Sequence, residues 1–66
     1  MTVQFTGVDV YPGRWDNDPT PRWFVVASVS DGGEVVFDMQ LSAEAAARSA
    51  SETAKDLDVP LLHTIN

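Results

Sequence analysis

The chain has no cysteine and a single histidine, His63, among its 66 residues. Disulfide bonds and thiolate zinc sites are therefore excluded, and an oxidising compartment is not indicated. A zinc site made of clustered histidines is excluded as well. Small domains usually supplement a limited core with a disulfide, a metal ion or a partner subunit. Only the partner subunit remains open to this sequence, which favours an oligomer.

Basic residues are scarce, because four Lys and Arg stand against ten Asp and Glu, for a formal net charge of −6. Affinity for nucleic acid comes largely from Lys and Arg that displace counterions, so this balance argues against nucleic-acid binding. It favours basic partner surfaces instead. The longest apolar run, Trp23 to Ala27, is too short to span a membrane, and the first residues lack the pattern of a signal peptide. We therefore expect a cytoplasmic protein.

The sequence shows no recognisable catalytic motif. It has no GxSxG, no nucleophilic cysteine and no Gly-rich phosphate loop. His63 stands between Leu62 and Thr64, which is typical of the edge of a terminal strand. We interpret Asp31 and Glu34, which flank a tight turn, as solvated carboxylates rather than an acid–base pair. The prediction is a protein without enzyme activity or cofactor.

One run of oxygen ligands resembles the start of a calcium loop, Asp16-Asn17-Asp18. The EF-hand pattern needs Gly at its sixth position and Glu at its twelfth, where this chain has Pro21 and Ala27. Asp and Asn also favour turns for backbone reasons. We therefore predict a turn at this run and no metal site.

A β-hairpin is the clearest predicted element. Residues 23–30 are rich in β-branched and aromatic side chains, and residues 34–41 alternate apolar with polar ones. Between them, Asp31-Gly32-Gly33 predicts a three-residue loop with Gly33 in the left-handed conformation. Residues directly opposite in an antiparallel pair share a face, so this loop would set core positions against each other. The predicted pairs are Val29 with Val35, Ala27 with Phe37, and Val25 with Met39.

A helix over 43–57 should follow the hairpin directly. Ser42 is a good N-cap, Glu44 suits the positive end of the helix dipole, and Pro60 forbids continuation. Apolar residues spaced three and four apart predict the face that packs on the sheet. These residues are Ala43, Ala46, Ala47, Ala50, Ala54 and Leu57.

The remaining segments complete an α+β fold with one domain over residues 1–66. Residues 3–11 are β-prone, with a bulge at Gly7 where the alternation breaks. Residues 12–21 read as a loop between this first strand and the hairpin, because they are dense in Gly, Pro, Asp and Asn. Residues 59–65 are apolar enough for a short fourth strand. The predicted architecture is a three-stranded antiparallel sheet with one helix packed on one face, in the order β-β-β-α(-β).

The candidate partner-binding residues are Phe24, Val26 and Val36, which point away from the predicted helix. The expected polar rim of this patch consists of Ser28, Glu34, Asp38 and Gln40. A rimmed apolar cluster usually marks a contact surface. The alternative is that the N-terminal segment, the 12–21 loop or the C-terminal tail covers it. Trp15 either folds back to cap the core or stands out as a binding anchor, whereas Trp23 has core parity.

Two resemblances accompany this pattern. Three strands followed by one helix, with an aromatic-x-Val sequence and Asp-Gly-Gly in the turn, resemble the arm-type DNA-binding domains of phage integrases over residues 22–57. That resemblance implies nucleic-acid binding, although the basic sheet face of those domains is replaced by Ser28, Glu34, Asp38 and Gln40. The ββα order with an alanine-rich helix is similar to antitoxins of the HicB type. Neither resemblance supplies a functional residue to carry over.

The sequence therefore predicts a small acidic protein–protein interaction module that forms a homodimer. Its contact residues would be Phe24, Val26, Val36 and Trp15. Two alternatives stay open: a nucleic-acid-binding domain of the integrase-arm kind, and an antitoxin-like or DNA-mimicking inhibitor.

Overall fold

The structure, a computed structural model, describes residues 4–62. Its elements are β1 (Phe5–Arg14), β2 (Pro21–Val29), β3 (Glu34–Gln40) and α1 (Ala43–Leu57). The strands form one antiparallel sheet in the order β1-β2-β3, and α1 packs on one face of it. The predicted α+β class, with three strands followed by one helix, is confirmed.

Local capping residues set both ends of α1. The Ser42 hydroxyl accepts a hydrogen bond from the Ala45 N–H at 3.1 Å, which satisfies one of the free donors of the first turn. At the other end, Asp58 adopts a left-handed conformation with φ 56°, and its N–H donates to the carbonyls of Ala54 and Lys55. The predicted helix bounds and N-cap are confirmed.

The core lies between the alanine face of α1 and the first two strands. Ala46, Ala50 and Ala54 are buried, as are the four strand residues that they meet. Those four are Val8 and Val10 on β1 and Val25 and Ala27 on β2. Partly buried side chains close the periphery, namely Phe5, Trp23, Leu57 and Val59. Because alanine has so small a side chain, α1 lies close to the sheet over this contact.

The first strand is longer than the sequence indicates. The β1–β2 register shifts between Phe5 and Gly7, so Thr6 is the extra residue and the bulge lies one position before the predicted Gly7. From there β1 continues through Pro12 to Arg14, so the connecting loop covers residues 15–20 instead of 12–21. A proline, which has no N–H to donate, is tolerated because β1 is an outer strand of the three-stranded sheet.

The hairpin loop lies one residue earlier than predicted. Val29 N–H donates to the Gly33 carbonyl at 2.9 Å, and Gly32 N–H donates to the Val29 carbonyl at 3.0 Å. The three-residue loop is therefore 30–32, and the positive φ of 96° belongs to Gly32 rather than Gly33. The predicted register is wrong as a result, because Ala27 pairs with Val35 instead of Phe37.

A bulge in β3 then changes which side chains share a face. Val26 pairs with Val36 and Val25 pairs with Asp38, so Phe37 is an extra residue on β3. Beyond it, Asp38 turns toward α1, where its carboxylate accepts a 2.5 Å hydrogen bond from the Ser49 hydroxyl. That tertiary contact outweighs the simple alternation that predicted the opposite. Two predictions are therefore wrong: Met39 pairs with Phe24 instead of Val25, and Asp38 and Gln40 lie on the helix side rather than on the rim of the patch.

The segment after α1 runs beside β1. Leu61 forms an isolated parallel bridge with Val8. Val8 N–H donates to the Pro60 carbonyl at 3.0 Å, and Leu62 N–H donates to the Val8 carbonyl at 2.7 Å. The predicted fourth strand over 59–65 and the histidine at position 63 fall partly or wholly on residues 63–66, which lie outside the described residues.

Among the described residues, no helix is both long enough and apolar enough to cross a membrane. This finding agrees with the short apolar runs in the sequence.

We expect Ala50→Leu to lower the free energy of unfolding by about 1–3 kcal/mol, because the added carbons have no room against the strands. Ala50 is 0% exposed. Chemical denaturation of wild type and variant measures the effect. Ser51→Leu, at the neighbouring exposed position, is the matched control and should be nearly neutral. An unchanged midpoint for Ala50→Leu would place residue 50 on the solvent side of α1.

Candidate partner-binding surface

The sheet face turned away from α1, which we call the open face, carries a continuous apolar surface. Strand pairing places Tyr11 opposite Phe24, Phe24 opposite Met39, and Val26 opposite Val36. Since residues directly opposite share a face, these five side chains lie together. Unlike the alanine side of the sheet, this face receives no cover from α1.

The three strand residues predicted from the sequence, Phe24, Val26 and Val36, all lie on the open face. Their accessibility differs, because Val26 is 6% exposed, Phe24 is half-buried and Val36 is 48% exposed. Val26 sits on the central strand between Asp9 and Val36, so it forms the floor of the surface. Val36, on an outer strand, is the member of this set that a partner can reach most fully.

Trp15 folds back onto the sheet, but onto the open face rather than the alanine core. Its ring centroid lies 6.0 Å from that of Phe24 at an interplanar angle of 35°. The side chain nevertheless stays 51% exposed. Gly13 gives Phe24 room to lie over β1, since a Cβ at position 13 would be 3.1 Å from the Phe24 ring. Trp15 is thus anchored on one side and accessible on the other.

The loop that carries Trp15 is held by Asp18. One carboxylate oxygen accepts a hydrogen bond from the Thr20 N–H, and the other accepts one from Arg22 Nη2, both at 2.9 Å. The Asp18 N–H also donates to the Trp15 carbonyl at 2.7 Å. Hydrogen bonding, first from the Thr20 backbone and then from the Arg22 guanidinium, lowers the pKa of Asp18 to about 2. The run at 16–18 therefore forms a turn, as predicted.

Among residues 4–62, no group of three His, Cys, Asp or Glu side chains converges as a metal site would require. His63 lies outside the described residues.

Tyr11 and Met39 belong to the open face although the sequence did not identify them. Tyr11 is 43% exposed and Met39 is 37% exposed. The pairing of β1 with β2 places Tyr11, and no local signal in the sequence reveals that pairing. Unbroken alternation along β3 predicts a core position for Met39, and that prediction is wrong because the alternation breaks at Phe37. Only a sequence feature that marks a bulge at Phe37 could have predicted the position of Met39 on the open face.

A shallow pocket of about 400 Å³ lies between Trp15 and β3. The residues that line it are Trp15, Val36, Phe37, Asp38 and Met39. Its walls are mainly apolar, and the exposed part of the Trp15 indole forms one side. Of its lining residues, Trp15, Val36 and Met39 belong to the open face.

Carboxylates stand beside the apolar surface. Asp9 lies opposite Val26, and the Tyr11 hydroxyl is 3.5 Å from Glu34 Oε2, a long hydrogen bond. Hydrogen bonding and negative charge from Asp9 first, and then from Glu34, raise the pKa of Tyr11 above its usual value. Arg22 lies on the same face, but its charge is paired with Asp18. The open face therefore combines aromatic surface with negative charge.

Other segments cover only parts of the open face. A Cβ at Gly7 would lie 2.5 Å from Leu62 Cγ, so the C-terminal segment covers the Gly7 end. Trp15 covers Phe24, and residues 5–14 are a strand of the same sheet that cannot cross it. Among the described residues of this face, Tyr11, Val36 and Met39 each remain more than one third exposed.

Comparison with known proteins adds no relative. No protein-family model, no curated protein and no solved structure matches the chain.

We expect the ionised Asp18 to stabilise the fold at neutral pH. Its folded-state pKa is lowered from 3.8 to about 2, so this contribution is full above pH 3.8 and is lost as the pH falls toward 2. The stability advantage of wild type over Asp18→Asn should therefore shrink across that window. Urea denaturation at a series of pH values measures it, with Asp16→Asn as the control for net charge. An advantage that is constant down to pH 2 would contradict the Asp18 hydrogen bonds.

Proposed function

We propose that this chain is a small protein–protein interaction module that binds a partner protein through its open face. The observation that supports it most directly is the exposed cluster of Trp15, Val36 and Met39 beside Tyr11. Apolar clusters with a polar rim usually mark contact surfaces, and Trp, Tyr and Met are enriched at interfaces. The buried cluster on the helix side forms without these residues, so they are available for a partner.

Shape also supports the proposal. The open face is broad and only shallowly concave, which suits a protein surface better than the enclosed pockets that take small ligands. Cytoplasmic residence, which the lack of cysteine favours, is part of this proposal. The carboxylates of Asp9 and Glu34 would repel a phosphate backbone, so the nucleic-acid alternative has no supporting observation on this face.

The homodimer expected from the sequence would use the same surface. A two-fold dimer brings the same patch of each copy together. Asp9 and Glu34 of one copy would then approach those of the other, and like charges across an interface cost binding energy. Self-association through the open face should therefore be weak at low salt.

We expect Val36→Ser combined with Met39→Ser to abolish partner binding while the fold persists. Both side chains are exposed, so the loss of stability should be about 1 kcal/mol or less. Polypeptides retained from a host lysate by wild type should be lost with this variant and kept with Leu41→Ser. Leu41 is also exposed but lies beyond the end of β3, which makes it the matched control. Equal retention by all three proteins would contradict the proposal.

The dimer prediction is tested by sedimentation equilibrium at low and at high ionic strength. A dimer that forms through the open face should tighten as salt is raised, because salt screens the facing carboxylates. The Val36→Ser and Met39→Ser variant should stay monomeric under both conditions. A dimer that weakens with salt would have to form elsewhere, through opposite charges. If the wild type is monomeric under both conditions, the dimer prediction is wrong and the proposed partner is a different protein.

A further inference from the structure

The indole of Trp15 is positioned before any partner arrives. One side packs on Phe24, with ring centroids 6.0 Å apart, while the side chain stays 51% exposed. The bonds from Asp18 to Thr20 and Arg22 hold the loop in place. A preformed aromatic surface of this kind attracts a cation at its free face, and tryptophan does so more strongly than tyrosine or phenylalanine. Little conformational entropy would be lost on binding.

The pocket beside the indole suits a long side chain with a polar end. Val36 and Met39 supply an apolar wall in a space of about 400 Å³ that opens to solvent. Lys and Arg lay their carbon stems along apolar surface and keep the charged end at its margin. A neutral aliphatic residue would pack against the apolar wall but would make no cation–π interaction with the indole.

The charges of the open face favour a cation. The carboxylates of Asp9 and Glu34 raise the pKa of Tyr11, which reflects a negative potential at this face. The guanidinium of Arg22 is held at 2.9 Å by Asp18 and offsets little of that potential. A basic partner relieves the repulsion between these carboxylates, whereas a second copy of the chain would increase it.

Strand addition at the outer edge of β3 is the competing mode of binding, and two features oppose it. The bulge at Phe37 breaks the regular spacing of the strand. The Met39 N–H is also occupied, since it donates to Asp38 Oδ1 at 2.8 Å. Bulges and charged side chains on an outer strand are common means of preventing such pairing. The open face is therefore better suited to take a side chain than a strand.

We infer that the partner of the open face is a basic protein that places a Lys or Arg side chain on the exposed side of Trp15, with its carbon stem against Val36 and Met39. This inference rests on the proposed function and specifies the chemistry of the partner. Tyr11 and Glu34 lie on the same face and favour the cation electrostatically.

The test is a titration of the full chain, labelled with nitrogen-15, with three short peptides of equal length. Each peptide alternates valine with one other residue, which is arginine, glutamine or glutamate. The indole N–H signals report on Trp15 and Trp23 separately, and Trp23 lies on the helix side as an internal control. The arginine peptide should shift the Trp15 signal and the Val36 and Met39 amides, and bind at least about tenfold more tightly than the glutamine peptide.

Two pairs of variants sharpen the result. Trp15→Ala should lower the affinity for the arginine peptide about tenfold, and Trp15→Phe should lower it less, because a smaller ring still attracts a cation. Glu34→Gln should weaken binding more than Glu44→Gln, although both remove one negative charge. Glu44 is on α1 and therefore serves as the control for net charge. The dispersion of the amide spectrum verifies that each variant is folded.

Three outcomes would overturn the inference. Equal binding of the arginine and glutamine peptides at the open face would leave the proposed function standing and remove the basic partner. Shifts that concentrate on the backbone amides of the acidic residues of α1, with the Trp15 indole signal unchanged, would show only nonspecific charge attraction. No shift with any peptide would also reject it. The proposed function would then be judged separately, by whether retained polypeptides are lost with the Val36→Ser and Met39→Ser variant.

Discussion

The contact between three alanines of α1 and the strands β1 and β2 determines how the rest of this domain is arranged. Ala46, Ala50 and Ala54 meet four small strand residues, so the helix lies close and the main core cluster is on one side of the sheet. A single helix of 15 residues cannot also cover the other side. The apolar side chains on that side, Phe24, Val36 and Met39, are consequently left for loop residues or a partner to cover.

The parts of the fold that could be predicted from the sequence are those that local interactions determine. Ser42 caps α1 through a bond to a residue three positions away, so its signal is contained in a few letters. The hairpin register could not be predicted in the same way. It depends on the bulge at Phe37, and the bulge accompanies a bond from Asp38 to Ser49, which lies in a different element. Tertiary contacts of this kind override alternation along a strand.

The residues of the open face also differ in how far the sequence predicts them, according to whether their position depends on local or on tertiary contacts. The sequence predicts the correct face for Phe24 and Val26 because β2 pairs regularly with β1 at these positions, and for Val36 because it precedes the bulge in β3. Met39 lies beyond the bulge and was therefore assigned to the wrong face. Trp15 was recognised as either a cap or an anchor, and it has features of both, since Phe24 supports one side of a ring that is still half exposed. The Asp18 bond to the Thr20 N–H is the kind of local turn bond that Asp favours, whereas its bond to Arg22 has no signature in the sequence.

The uneven distribution of buried residues should also give the sheet an uneven resistance to local opening. No residue of β3 is buried, whereas β1 and β2 hold Val8, Val10, Val25 and Ala27. Val8 is further secured by backbone bonds to Pro60 and Leu62. Backbone amides of β3 should therefore exchange with solvent sooner than those of β1, because local opening starts where few apolar contacts are lost. A partner that binds to β3 would then order the strand that is least protected from local opening. Binding would in this way be coupled to the rigidity of the sheet.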